Sequence, residues 1–277
     1  MVFVVNRLLT SILHGLLIYH LSSQNRPNVA FMKFSPLKTF LVTWEYRQLQ
    51  NASENLLVWD LSTGSNVMKF THKELSAKSW PLQWSSDEEI VCLGVTNEVK
   101  VFNGRTCESK VLTKLVCPNM CTYSIAPAGK PYSIAVFSPQ KGSDPARMSI
   151  YRFPLFEENQ AVATKTFFQA EEAELHWSPT GQAILVHTHT ETDRTGKSYY
   201  GATNVFLLQV DGSFAGAVPS VKEGPIQDVA WSPSGKDFIV VQGFQPAKAI
   251  LYAAKDCTPV CHLHQCTVFH CISLRSH

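Results

Sequence analysis

The 277-residue chain lacks the motifs from which an enzyme is usually read. No glycine-rich phosphate loop is followed by a lysine, no G-x-S-x-G turn presents a nucleophile, and no H-E-x-x-H pair is set for zinc. Neither catalysis nor a bound cofactor is therefore expected. An excess of charge of one sign is missing too, since 24 basic and 22 acidic residues leave a net charge of +2. That balance excludes a binder working through its overall field, so any contact with RNA has to come from a local patch. No window sustains a 3.6-residue apolar period, which excludes a helical bundle. Long hydrophobic runs are also scarce. The most apolar stretch, residues 1–25, is interrupted by Arg7, and fourteen residues from Leu8 to Leu21 run without a formal charge. A membrane-spanning helix needs about 20 predominantly apolar residues. A signal peptide places its positive charge ahead of the apolar part and ends in small residues, unlike Leu21-Ser22-Ser23. Residues 1–25 thus form a segment of their own, and no membrane association is expected. Without a secretory signal, the eight cysteines are expected as thiols in a reducing, cytoplasmic compartment.

What is present is alternation punctuated by turns. From Ala173 to Gly212 an alternating run ends in Trp177, followed by Ser178-Pro179-Thr180-Gly181. An apolar run from Ala183 to His187, a polar loop, a run from Val205 to Val210 and the turn Asp211-Gly212 come next. Strand, tight turn, strand, long loop, strand and glycine turn read as an antiparallel meander. The plan recurs at Val229–Ala254, and earlier at Asn28–Trp44 with Leu56–Gly64, at Pro81–Thr106, and at Cys121–Phe156. Trp59-Asp60 closes one apolar strand ahead of a Ser-Thr-Gly turn, as the third strand of a propeller blade does.

The residues before the first turns, Phe34, Trp84, Ile125, Trp177 and Trp231, are separated by 50, 41, 52 and 54 positions. WD-type blades repeat at about 40 to 45 residues, with insertions falling in loops. The longer intervals hold visible insertions at Tyr46–Glu54, Gln140–Ala146 and Glu191–Gly201. The fold expected is all-β, an incomplete WD40-like β-propeller of about five blades, each a four-stranded antiparallel sheet. Alternation places Trp177 and Trp231 on a buried face between blades, which makes them architectural. Ser-Pro-x-Gly supplies a side-chain acceptor, a fixed φ and a residue that tolerates positive φ, so the chain reverses at once.

Three constellations bear on chemistry. On a strand, residues two apart share a face, so His187, His189, Glu191 and Asp193 form a possible row of nitrogen and oxygen ligands. The same letters arise in a polar strand running into a loop, and with no completing Asp-His pair no metal is expected. Cys257, Cys261, Cys266 and Cys271, with His262, His264 and His270, have the donor types of a zinc site. Their spacing matches no paired knuckle, and the composition breaks sharply from the preceding unit. Residues 261–277 are accordingly set apart as a Cys/His-rich tail. The acid pairs Glu88-Glu89 and Glu171-Glu172 fall in turns and are expected to be solvated.

TGKSYYG (Thr195–Gly201), GPIQDVAWSPSG (Gly224–Gly235), GFQPAKAILY (Gly243–Tyr252) and TFFQAEEAELHW (Thr166–Trp177) together resemble the eukaryotic translation initiation factor 2A family. KFSPLKTFLVTW, LLVWDLSTG and TNEVKVF fit it in the same order, so the resemblance covers residues 26–260. It implies a propeller of about nine blades followed by a charged C-terminal region. It further implies partners in the small ribosomal subunit, initiator methionyl-tRNA and mRNA, with other initiation factors possible, and a non-catalytic role in delivering that tRNA. Against this pattern the chain reads as a truncated or alternatively spliced member: residues 26–260 as a partial propeller, residues 1–25 and 261–277 as departures. The candidate contact is the loop Thr195–Gly201, where Lys197 is suited to phosphate and Tyr199 and Tyr200 to stacking on bases. The plainer alternative packs both tyrosines beneath a neighbouring blade. A generic WD-repeat scaffold for protein partners, and a metal-dependent enzyme, are the competing functions.

Overall fold

In the computed structural model, the described residues are 29–46, 54–72, 80–156, 160–168, 170–190 and 201–263. They form twenty strands in five four-stranded antiparallel sheets, each laid out in sequence order from first strand to fourth. The first sheet holds β1 (Val29–Phe34), β2 (Phe40–Glu45), β3 (Leu56–Asp60) and β4 (Asn66–Phe70). The second holds β5 (Leu82–Trp84), β6 (Ile90–Val95), β7 (Glu98–Asn103) and β8 (Val111–Val116). The third holds β9 (Thr122–Ile125), β10 (Tyr132–Ser138), β11 (Ala146–Phe153) and β12 (Ala163–Phe167). The fourth holds β13 (Glu172–Trp177), β14 (Ala183–His189), β15 (Thr203–Gln209) and β16 (Ala215–Ala217). The fifth holds β17 (Ile226–Trp231), β18 (Asp237–Gln242), β19 (Lys248–Ala253) and β20 (Pro259–Leu263). Phe34, Trp84, Ile125, Trp177 and Trp231 each end the first strand of a sheet, as their spacing predicts. Among the described residues no helix is long and apolar enough to cross a membrane.

The described residues divide into two compact units, one built on the first sheet and the other on the remaining four. In the first unit, Leu41, Leu57 and Trp59 form a core on one face, and the Trp59 indole donates to Thr43 Oγ1 at 2.9 Å. The Asp60 carboxylate accepts from the Ser62 N–H and hydroxyl, and Gly64 follows at φ 69°. The Trp-Asp signature thus ends a strand by building the turn after it.

In the second unit the second strands of the third and fourth sheets, β10 and β14, are buried on both faces, because a sheet lies on either side of each. Ile134 and Val136 of β10 pack with Cys92, Val101 and Tyr123 toward the second sheet. Ala135 and Phe137, of opposite parity, pack with Phe167, Ile184 and Val186 toward the fourth. In β14 the even positions Ile184 and Val186 face the third sheet, while Ala183 and Leu185 pack with Val229, Phe238 and Tyr252 of the fifth. The near-continuous apolar runs follow from this two-sided burial.

One turn design closes four of the five first hairpins. Ser35, Ser85, Ser178 and Ser232 each accept at Oγ from the N–H five residues on, at 2.9 to 3.2 Å. The fourth turn residue is left-handed every time: Lys38 at 63°, Glu88 at 55°, Gly181 at 67° and Gly235 at 69°. At position 181 glycine is required twice over, since a Cβ there would lie 2.5 Å from the Ala128 Cβ in the turn of the third sheet. Glu88 corrects the expectation of a solvated acid pair. It is buried, in a left-handed turn position, whereas Glu89 is partly exposed and pairs with Lys130 at 3.1 Å and with Arg105.

One boundary shifts. β20 runs through Leu263, so residues 261–263 complete the fifth sheet instead of opening a tail. Cys257 is part of that sheet's core: buried, at φ 59°, four residues after β19, just as Cys107 follows β7 by four at φ 47°. Burial pushes the Cys257 thiol up to about 12, so it is a packed thiol and not a poised metal ligand. Residues 1–25, and Cys266 and Cys271 with their neighbouring histidines, lie outside the described residues.

Candidate functional site

Lys197, Tyr199 and Tyr200, together with Glu191 and Asp193, lie outside the described residues. What is described is the base of their loop. Thr190 N–H donates to the Ala202 carbonyl at 3.1 Å, and the Ala202 N–H returns to Thr190 Oγ1 at 2.8 Å. β14 and β15 are in register up to His189 and Thr203, so the connection leaves from a closed ladder.

At that same end of the fourth sheet sits a cluster that the chain order conceals. Antiparallel pairing sets Glu174 of β13 opposite His187 of β14. His189 follows two residues on, its ring centroid 4.0 Å from that of His187. Glu174, His187 and His189 each bring one ligand-type atom to within 4.8 Å of the others, with His187 buried and the other two half-buried. His176, on the same face of β13, places Nε2 3.6 Å from Glu174 Oε2. Among the described residues the carboxylate beside the two histidines is Glu174, across the ladder, and not a residue further along β14. The Ser178-Pro179-Thr180-Gly181 turn sets that register, and counting back from it pairs Glu174 with His187.

Odd positions of β14 face the fifth sheet, so this cluster lies in the cleft between the fourth and fifth sheets. Both walls are pinned. The Trp231 indole N–H donates to the His176 carbonyl at 2.8 Å, and the Ile226 N–H donates to Thr203 Oγ1 at 2.7 Å. The Trp177 indole makes the equivalent bond one sheet earlier, to the Ser124 carbonyl at 3.3 Å. Both tryptophans are half-buried and work as inter-sheet ties, as their position in the repeat implies.

Where isoleucine occupies the tryptophan position, at Ile125, another device joins the sheets. Gln83 donates to the Tyr123 carbonyl at 3.0 Å and accepts from the Ile125 N–H at 3.2 Å. Tyr123 sends its hydroxyl to the carbonyls of Pro81 and Cys92, at 2.7 and 2.8 Å. Burial raises that phenol well above its ordinary value, which keeps it a donor. At the far end of the junction Asp87 accepts from Tyr132 at 2.7 Å and from Ser85 at 2.6 Å. Burial pushes the Asp87 carboxyl up, but the bonds from Ser85, Tyr132 and the Glu89 N–H outweigh it and hold it below its ordinary value.

Four-stranded meanders, whose first strands lie side by side through the second unit and are tied there by Trp177, Trp231 and the Gln83–Tyr123 bonds, define the chain as a run of WD-type β-propeller blades. The family model for eukaryotic translation initiation factor eIF2A matches residues 165–271. Eukaryotic translation initiation factor 2A of Dictyostelium discoideum is 41% identical over 235 residues, covering 83% of this chain and 38% of that protein. The protein of the same name from Schizosaccharomyces pombe is 35% identical over 228 residues, covering 81% of this chain and 39% of its own length. A crystal structure of a eukaryotic initiation factor superposes with a TM-score of 0.73 at 29% identity, over 86% of this chain and 56% of that one. Over these residues the chain belongs to the eukaryotic translation initiation factor 2A family. It spans about two fifths of the length of the curated relatives it matches.

Proposed function

We propose that this chain acts in cytoplasmic translation initiation as a non-catalytic factor, binding the small ribosomal subunit and supporting delivery of initiator methionyl-tRNA to mRNA. The observation that carries the reading is the similarity to initiation factor 2A proteins across more than four fifths of the chain. The near-neutral charge assigns the work to local groups and to shape, not to a broad basic field. The contact we propose is the loop after β14, with Lys197 on a phosphate and Tyr199 and Tyr200 stacked on bases. The base of that loop is closed by the Thr190–Ala202 pair.

Co-sedimentation with purified small ribosomal subunits at low salt tests the proposal. Binding comparable to that of a full-length relative is the expected result, weakened by Lys197→Ala and by the pair Tyr199→Ala and Tyr200→Ala. Failure to co-sediment while the full-length relative does so would overturn it. Nuclease-insensitive retention of non-ribosomal proteins alone would favour a protein-interaction scaffold instead.

A further inference from the structure

We propose that Glu174, His187 and His189 form a binding site for one divalent transition-metal ion, best matched by zinc, in the cleft between the fourth and fifth sheets. The donors are two imidazole nitrogens and one carboxylate oxygen, the set that zinc accepts with one position left for water. They come from two paired strands and not from a loop, so the backbone beneath them is held by the β13–β14 ladder. They converge from both strands: Glu174 stands opposite His187, and His189 shares that face one pleat further on. The three ligand-type atoms lie within 4.8 Å of one another. Around a tetrahedral zinc, donors about 2.0–2.2 Å from the ion stand roughly 3.4 Å apart. Drawing the three together closes their separations by roughly 1.4 Å at most, a distance on the scale of side-chain rotation.

The surroundings suit a metal rather than chance proximity of polar groups. His187 is 4% exposed, so an ion it holds is largely shielded from solvent. His176, with Nε2 3.6 Å from Glu174 Oε2, is positioned to orient the carboxylate from outside the ligand set. The walls are tied to each other: the Trp231 and Ile226 bonds hold β13 and β15 against β17. A metal there would join β13 to β14 at the point where the chain leaves the ladder, one residue before Thr190. The inference stands whether or not the chain engages the ribosome.

The test uses the full chain, stripped with a chelator and titrated with zinc by calorimetry, with metal analysis of the dialysed product. One equivalent bound, a zinc-dependent rise in melting temperature, and a cobalt(II) spectrum lacking thiolate charge-transfer bands are the expected results. Glu174→Gln and His189→Asn, both near-isosteric and half-buried, are expected to lower affinity at least tenfold while leaving the circular dichroism of the metal-free protein unchanged. No stoichiometric metal on the folded wild-type protein would overturn the site. Binding unchanged in both variants but abolished by Cys266→Ser with Cys271→Ser would also overturn it, placing the ion on the C-terminal cysteines. Should either variant misfold, the cobalt spectrum of the wild type still decides between imidazole–carboxylate and thiolate ligands.

Discussion

The smallest recurring device in this protein is a serine. Ser35, Ser85, Ser178 and Ser232 each receive an N–H five residues on, so the start of the next strand is bonded before the ladder begins. At Ser178 the group is completely buried, and its partner, the Ala183 N–H, begins a strand with a sheet on either side. Replacing it by alanine removes an acceptor that water cannot replace. Ser178→Ala is expected to cost about 1–3 kcal/mol, the penalty for a buried donor left without its partner. Equilibrium urea unfolding measures it, and Ser232→Ala, in a more exposed turn, is expected to cost less.

At the scale of elements, the junctions between sheets carry most of the polar specificity. Two of them use an indole N–H reaching the backbone of the preceding first strand. The third uses Gln83 and Tyr123 at one end and Asp87 with Tyr132 at the other. Asp87 is held below its ordinary value of 3.8, which makes this junction sensitive to acid. A carboxyl depressed in the folded state binds fewer protons than in the unfolded chain, so stability rises with pH through that window. The contribution is complete above 3.8 and is lost as the pH falls through the depressed folded value. Unfolding measured across the acid range is expected to show a steeper loss of stability for wild type than for Asp87→Asn, which has no carboxyl to titrate.

For the molecule as a whole, the second unit is a series of neighbour interfaces. One core joins the second and third sheets, a second joins the third and fourth, and a third joins the fourth and fifth. Stability in such a series is approximately a sum over neighbours. Phe167, fully buried between the third and fourth sheets and 4.5 Å from the Phe206 ring centroid, belongs to one interface alone. Phe167→Ala is expected to cost about 3–5 kcal/mol. Hydrogen exchange is expected to rise first in β10–β12 and β14–β15, while β6, β7, β18 and β19 keep their protection. Uniform loss across all four sheets would show a single cooperative core instead.

Strand order, sheet count and the place of each first turn were legible in the chain because they are local. Parity of two, a turn every few residues and a tryptophan or its stand-in at the end of each first strand suffice, and Phe34, Trp84, Ile125, Trp177 and Trp231 mark the sheets they were read to mark. Family membership was legible for the same reason, carried by ordered segments such as Gly224–Gly235 and Gly243–Tyr252. Properties that depend on what lies across a ladder or between two sheets were not. Glu88 looked solvated, but it is buried. Cys257 has the donor type of a zinc ligand, but packing in the fifth sheet makes it core. The histidines of β14 looked for a carboxylate further along their own strand. Only pairing with β13 brings Glu174 to them, because antiparallel register joins residues thirteen apart that no strand period connects.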